Sequence, residues 1–263
     1  MARVAPVALV LVLLCGCVGL ALADLAIVQS WPHSSFPGGI AYDAERGHVW
    51  VVDETDGDVT EYTRDGVYVS SFLASAVGLF QPIGASWAMD TGNLWICDEY
   101  TPEQVVETTR EGVWVSGFSV DPYVQDASGL AYDPNTGLLY VADDNAHEVI
   151  IFDTQGNYIS RWSSLPCSDT DSICYVGCTN TLMVGDDTAD TVYEFTLTGT
   201  LIQSWNMRTL LGIDGVEGLA ADEDAATLFL SSGVTDMVYE ISGVWGPSPV
   251  TDGTWGSIKA MYR

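Results

Sequence analysis

Carboxylates are the residues of this sequence whose spacing suggests chemistry. Acidic pairs recur as Asp53-Glu54, Asp98-Glu99, Asp143-Asp144 and Asp186-Asp187, each closing a short apolar run. A repeated unit of this kind delivers carboxyl groups to equivalent places in space, and clustered carboxylate oxygens are the donor set of a hard cation such as Ca2+, which takes roughly six to eight of them. Asp at a turn also has a structural use, because its side chain accepts backbone N–H bonds from its own loop. The first acid of each pair has that use open to it; the second is left for solvent or for a cation. His33 and His147 lie among acids and are the two imidazoles placed to serve as a general base, the alternative being solvated loop positions. The sequence holds no Gly-x-Ser-x-Gly elbow, His-Glu-x-x-His pair or phosphate loop.

The elements that position these acids follow from internal repetition. The stretch from Gly129, GLAYDPNTGLLYVADDNAHEVIIFDTQGNYISRW, aligns without a gap on the stretches from Gly39 and from Ser172; further copies start at Gly84 and Gly218. Each copy reads as short alternating strands divided by Asp- and Gly-bearing turns. Four strands in about 40–45 residues is the period of a propeller blade. The fifth copy lacks a fourth strand, since Gly243 is followed by Val244-Trp245-Gly246-Pro247, whereas Ile27-Val28-Gln29-Ser30-Trp31 matches Leu201-Ile202-Gln203-Ser204-Trp205. The expectation is an all-β chain of five four-stranded blades, the amino-terminal strand completing the last blade; a six-bladed ring is the rival. Two aromatic-rich sets then pack blade on blade: Trp31, Phe72, Phe118, Trp162 and Trp205 on fourth strands, and Trp50, Trp95, Tyr140, Met183 and Phe229 on second strands.

The pattern Gly-apolar-Ala-Tyr-Asp, a turn, apolar-apolar-Val-x-Asp, then Val-x-x-apolar and a Gly turn resembles NHL-type repeats and the gluconolactonase-like and lactonase-like propellers. The resemblance spans roughly residues 25 to 243. It implies the propeller fold, and it leaves open a range of roles from lactone hydrolases and lyases to non-catalytic binding modules. In the gluconolactonase-like members a Glu at the start of a first strand is a divalent-metal ligand, and Glu217 is the position here that resembles it.

Strands of a blade alternate in direction, so loops joining strands two and three open on the same face as the blade-to-blade loops. More than half of the 36 acids fall in those loops, with Arg208 among them, while Arg46, Arg64 and Arg110 sit in turns of the opposite face. Glu217 and Asp171 interrupt the repeat one position before a first strand, where other copies have Gly38, Ile83 and Ser128. The expected metal ligands are therefore Glu217 and Asp171 with Asp53, Asp98, Asp143 and Asp186, the cofactor being Ca2+ if the site is specific and a diffuse acidic surface otherwise.

Composition bounds the partners. With 36 Asp and Glu against 8 Lys and Arg the formal charge is -28, which repels phosphate backbones and anionic lipid headgroups. Hydrophobic residues at 48% supply an ample core. Arg3, an apolar run over Val7–Leu14 and small residues make residues 1–23 a secretory leader, with cleavage before Asp24; lipidation at Cys17 is the minority alternative. Export to the medium, periplasm or cell surface makes a disulfide expected, and Cys167–Cys174 is the preferred pair; Cys97 reads as a small buried residue and Cys178 as separate. Residues 24–243 are the propeller, and 244–263 a Pro-containing linker and a compact aromatic and basic tail. The resulting expectation is a monomeric exported binding or scaffold protein whose acidic face takes a protein, glycan or small molecule, with no nucleic acid and no membrane span. The competing class is a Ca2+-dependent lactonase-like hydrolase or lyase at the channel mouth, with His33 or His147 as base.

Overall fold

The computed structural model describes residues 25–245; the leader, Cys17 and the tail from Gly246 onward lie outside the described residues. Strand β1 (Ala26–Pro32) precedes four complete sheets. Blade one is β2 (Pro37–Asp43), β3 (His48–Asp53), β4 (Asp58–Thr63) and β5 (Tyr68–Leu73); blade two is β6 (Pro82–Ala88), β7 (Asn93–Asp98), β8 (Gln104–Thr108) and β9 (Trp114–Ser119). Blade three is β10 (Ala127–Asp133), β11 (Leu138–Asp143), β12 (Glu148–Asp153) and β13 (Tyr158–Ser163); blade four is β14 (Ser172–Val176), β15 (Thr181–Asp186), β16 (Thr191–Thr196) and β17 (Leu201–Asn206). Blade five has β18 (Gly218–Asp222), β19 (Thr227–Ser232) and β20 (Met237–Ser242), and its sheet runs β1-β20-β19-β18. The amino-terminal strand thus closes the ring, pairing Ile27 with Ile241 and Trp31 with Val238, and the count is five blades rather than six.

Each seam between blades buries its own apolar cluster. Trp50 and Phe72 pack on Leu94 and Ile96 between blades one and two, and Tyr140 and Trp162 on Leu182 and Phe195 between three and four. Trp31, Tyr42 and Phe229 fill the closing seam between blades five and one. Turn glycines complete these contacts: a Cβ on Gly66, whose φ is +80°, would sit 2.3 Å from the Trp31 ring. The expected aromatic sets are therefore core, as blade-on-blade packing requires.

At the axis the inner strands meet backbone to backbone. A Cβ on Gly39 would fall 2.3 Å from the Ile83 carbonyl oxygen, and one on Gly218 2.3 Å from that of Gly38. The void left between them is about 10 Å³, at the threshold for one water molecule. The axis is too narrow for anything larger than a water molecule.

On the opposite face the closing seam is tied by Arg64. Its guanidinium donates to Tyr42 Oη (2.9 Å) on blade one and to Asp222, Thr227 and Glu240 on blade five. Asp222 and Glu240 are almost wholly buried, and their charges find this cation across the seam. Removing one partner from a buried ion pair leaves an uncompensated charge. Arg64→Ala should therefore cost about 3 kcal/mol in urea unfolding; a loss below about 1 kcal/mol, the range of an exposed pair, would show that the seam does not depend on this tie.

Candidate functional site

The acidic pairs divide their labour. Asp98 accepts N–H bonds from Phe80 (2.9 Å), Gln81 (2.7 Å) and Tyr100 (3.2 Å), so one buried carboxylate clips the loop entering blade two to the loop between its second and third strands. Asp143 does the same with Gln125 and Ala146, and Asp186 with Ser168 and Ala189. Asp53 holds the N–H groups of Thr55 and Asp56 and the Ser35 hydroxyl. In blade five, where Ser232 replaces the Asp, its hydroxyl donates to the Asp214 carbonyl and accepts from Thr235 N–H. Asp53, Asp98, Asp143 and Asp186 thus stand in the loops as latches with their oxygens engaged, and the structure does not gather them around one point.

The residues it does gather lie one position later and in the blade-to-blade loops. One carboxylate oxygen from each of Asp144, Asp169 and Asp171 lies within 4.8 Å of the others. Asp171 and Glu217, both expected as ligands, line the closed axis together. Glu54 leans over the head of β2, where a Cβ on Gly38 would meet its Oε1. Thr170 N–H donates to Asp144 (3.1 Å) and Asp187 N–H to Asp171 (3.2 Å). Glu217 as a residue is 9% exposed, and its carboxylate has no hydrogen-bond or ion-pair partner among the described residues.

Electrostatics reports the same convergence. Burial, then the charges of Asp187, Asp169 and Glu217, pushes Asp171 up to about 10. Burial and the charges of Asp187, Glu54 and Asp169 raise Glu217 to about 8, and burial with Glu99, Asp53 and Asp187 raises Glu54 to about 7. Asp144 is lifted to about 7 by burial and by the Asp169 carboxyl beside it. Burial opposes ionisation of Asp169, yet the hydrogen bonds it accepts from Asp144, Asp187 and Thr188 hold it below the ordinary range. Carboxylates from different blades repel one another here, and a cation is what would relieve them.

His33 departs from its expected solvated position. It is buried at the closing seam, Nδ1 2.9 Å from Tyr62 Oη and Nε2 3.3 Å from Asp53 Oδ2, with its backbone N–H donating to the Asp236 carbonyl. Burial keeps its pKa low against the pull of Asp53. This imidazole braces the entry to blade one and faces no ligand space. His147, half-buried at φ +52°, lies near Asp169 and so is the imidazole beside the acidic cluster. All four described cysteines are free. The expected Cys167–Cys174 bridge is absent because strand alternation puts Cys174 on the blade four–five side of its sheet, whereas Cys167 shares the blade three–four cluster with Ile173. Asp144 and Asp169, which lie beside Asp171, are absent from the expected ligand set, and Asp187 is next to them. Their signal was the second place in each pair and the density of acids in the loop before blade four.

A carboxyl group whose pKa is raised by folding keeps a proton that the unfolded chain releases. For Glu217 this stabilises the fold at low pH, and the contribution fades as pH rises from about 4.3 through its folded value. In chelator-treated protein, Glu217→Gln should match the parent near pH 4 and exceed it by at least about 1 kcal/mol at pH 8 in urea unfolding. Parallel stability–pH curves for the two would contradict the electrostatic picture.

Comparison with known proteins agrees with this architecture. The Myxococcus xanthus glutaminyl cyclase structure superposes with a TM-score of 0.66 at 14% identity, covering 83% of this chain and 95% of that one. A luciferin-regenerating enzyme gives 0.60 at 12%, covering 84% and 95%, and a gluconolactonase from Xanthomonas campestris 0.57 at 15%, covering 83% and 89%. Identities this low speak to the fold alone, that of a β-propeller. No curated protein matches the sequence. The profile of the SdiA-regulated family matches residues 112–259, more than half of the chain, which therefore belongs to the SdiA-regulated family.

Proposed function

We propose that this protein is an exported binding module whose acidic face holds a Ca2+ ion at the axis mouth and engages its partner there without chemistry. The observation that carries the reading is the meeting of Asp144, Asp169 and Asp171 within 4.8 Å. Together with the unpartnered Glu217 they offer oxygen donors alone, the preference of a hard cation, and bidentate carboxylates plus water make up a shell of roughly six to eight. The leader-like residues 1–23 support export, and sites of extracellular modules are tuned to about 10⁻⁴–10⁻³ M Ca2+. The partner class is a protein, glycan or small molecule that meets the rim.

The second reading, a Ca2+-dependent lactone hydrolase or lyase, is favoured by the gluconolactonase likeness and by His147, whose Nδ1 is buried without a hydrogen-bond partner beside the cluster. Both readings place the ligand at the mouth, because the axis void itself is only about 10 Å³.

Calorimetric titration with Ca2+ decides the metal. One saturable site with Kd of about 10⁻⁴–10⁻³ M is expected, lost in Asp171→Asn and in Asp144→Asn but kept in Asp98→Asn. No saturable heat, or unchanged binding in Asp171→Asn, would refute it. Turnover of glucono-1,5-lactone that depends on Ca2+ and on His147 would favour the second reading.

A further inference from the structure

The repeat sets an arginine at two successive seams, and the two are used differently. At the closing seam Arg64, in the β4–β5 turn, engages Nε, Nη1 and Nη2: the first and last reach Glu240, and the other reaches Tyr42 and Asp222. Gln29 of the outer strand takes up the space beside it, its amide donating to the Arg64 carbonyl (2.9 Å) and to Glu240 (2.7 Å). Between blades one and two the equivalent residue is Arg110, since Arg110-Glu111-Gly112 repeats Arg64-Asp65-Gly66. Its guanidinium lies 4.8 Å over the Trp87 ring and meets Asp43 and Glu45 through Nη2, at 3.1 and 3.7 Å, while Nε is buried without a hydrogen-bond partner. The equivalent of Gln29 is Ser70, because Gln29 stands across from Glu240 and Ser70 across from Glu61. The shorter side chain leaves the space open.

We infer that this groove binds a small organic carboxylate with an apolar body. Its volume is about 390 Å³, within the roughly 300–1,000 Å³ of small-molecule sites. Arg46 and Arg110 line it together with Ser70 and Ser71, and Val69 and Phe72 give it an apolar wall. The two arginine side chains stay 37% and 27% exposed, so their free nitrogens are within reach of a ligand. Arg46 commits Nη1 to Glu61 (2.6 Å), and that carboxylate is also met by His48 Nδ1 (2.7 Å) and the Ser70 hydroxyl (2.8 Å). Both guanidinium groups therefore keep donors for an outside acceptor, and a planar carboxylate matches a guanidinium edge.

Local charge selects a carboxylate over a phosphate. Glu61 and Glu111 line the groove and Asp43 and Glu45 stand behind Arg110, so a single negative charge is tolerated where a double one is repelled. The walls are already in place. Gly112 of the blade-two turn rests on the Phe72 ring, and Arg110 is held between Trp87 and Asp43, so little ordering remains to be done on binding. The groove opens on the face away from the carboxylate cluster and is independent of the Ca2+ reading.

The experiment titrates benzoate, 3-phenylpropionate and hexanoate into the full chain in Ca2+-free buffer, followed by ligand-observed NMR, with 3-phenylpropionamide and inorganic phosphate as comparators. Saturable binding of at least one carboxylate is expected with a Kd of about 1 mM or tighter, the amide and phosphate being at least about tenfold weaker. Ser70→Gln installs the residue that the closing seam already carries at the equivalent place, so the fold accommodates it while the groove fills. It should weaken binding at least about tenfold, as should Arg110→Gln, whereas Ser70→Ala, which leaves the groove open, should stay within about threefold of the parent. Urea unfolding of each variant verifies that the propeller is intact. Absence of saturable carboxylate binding, an amide that binds as well as its acid, or unchanged binding in Ser70→Gln overturns the inference. Phosphate binding tighter than any carboxylate overturns the ligand class.

Discussion

The inner strands of this propeller meet with almost no side chain between them. Gly39, Gly84, Gly129 and Gly218 stand where a Cβ would strike the backbone of the next blade, and Ser172 takes the same place in blade four. Five blades need this closeness, because a ring of so few sheets has a narrow axis. It closes the channel, and whatever the protein binds on that face must sit at the mouth. The carboxylates that converge there cannot spread down a water-filled pore, so they are pressed together and desolvated. The raised values of Asp171 and Glu217 are the electrostatic consequence of a packing decision made at the glycines.

Two roles for acids follow from the same loops. A carboxylate that accepts two or three backbone N–H bonds is already satisfied, and Asp98 and Asp143 spend their oxygens in that way. The acid one residue further on is freer, and Asp144 in that place joins Asp169 and Asp171. One loop therefore supplies both a latch and a ligand, and the excess of 36 acids over 8 bases becomes two populations, one structural and one exposed to repulsion. On the opposite face, by contrast, buried acids such as Asp222 and Glu240 find Arg64, and the charge there is neutralised within the fold.

The fold was legible because the repeat is. Gly39, Gly84, Gly129 and Gly218 mark the copies, and the match between Ile27–Trp31 and Leu201–Trp205 identifies the closing strand. The face of the acids was legible too, since strand direction alone assigns the loops. What the sequence left open was which acid of a pair points inward, a matter of a few torsion angles in loops of equal composition; the expected ligand set took the first Asp, and the cluster uses Asp144 from the second position. His33 was misplaced for a related reason. Its neighbours Tyr62 and Asp53 come from blade one and its backbone N–H meets the Asp236 carbonyl of blade five, and a seam between blades leaves no local pattern. The thiols Cys167 and Cys174 lie close in sequence but on opposite sides of one sheet, where proximity along the chain misleads.

The central claim is that the axis mouth is a cation site made of crowded carboxylates. It is tested most directly by a crystal structure of the protein grown with millimolar Ca2+ and examined for anomalous scattering. One peak is expected among Asp144, Asp169 and Asp171. An empty mouth at full Ca2+, or a peak held instead by Asp53, Asp98, Asp143 or Asp186, would contradict it.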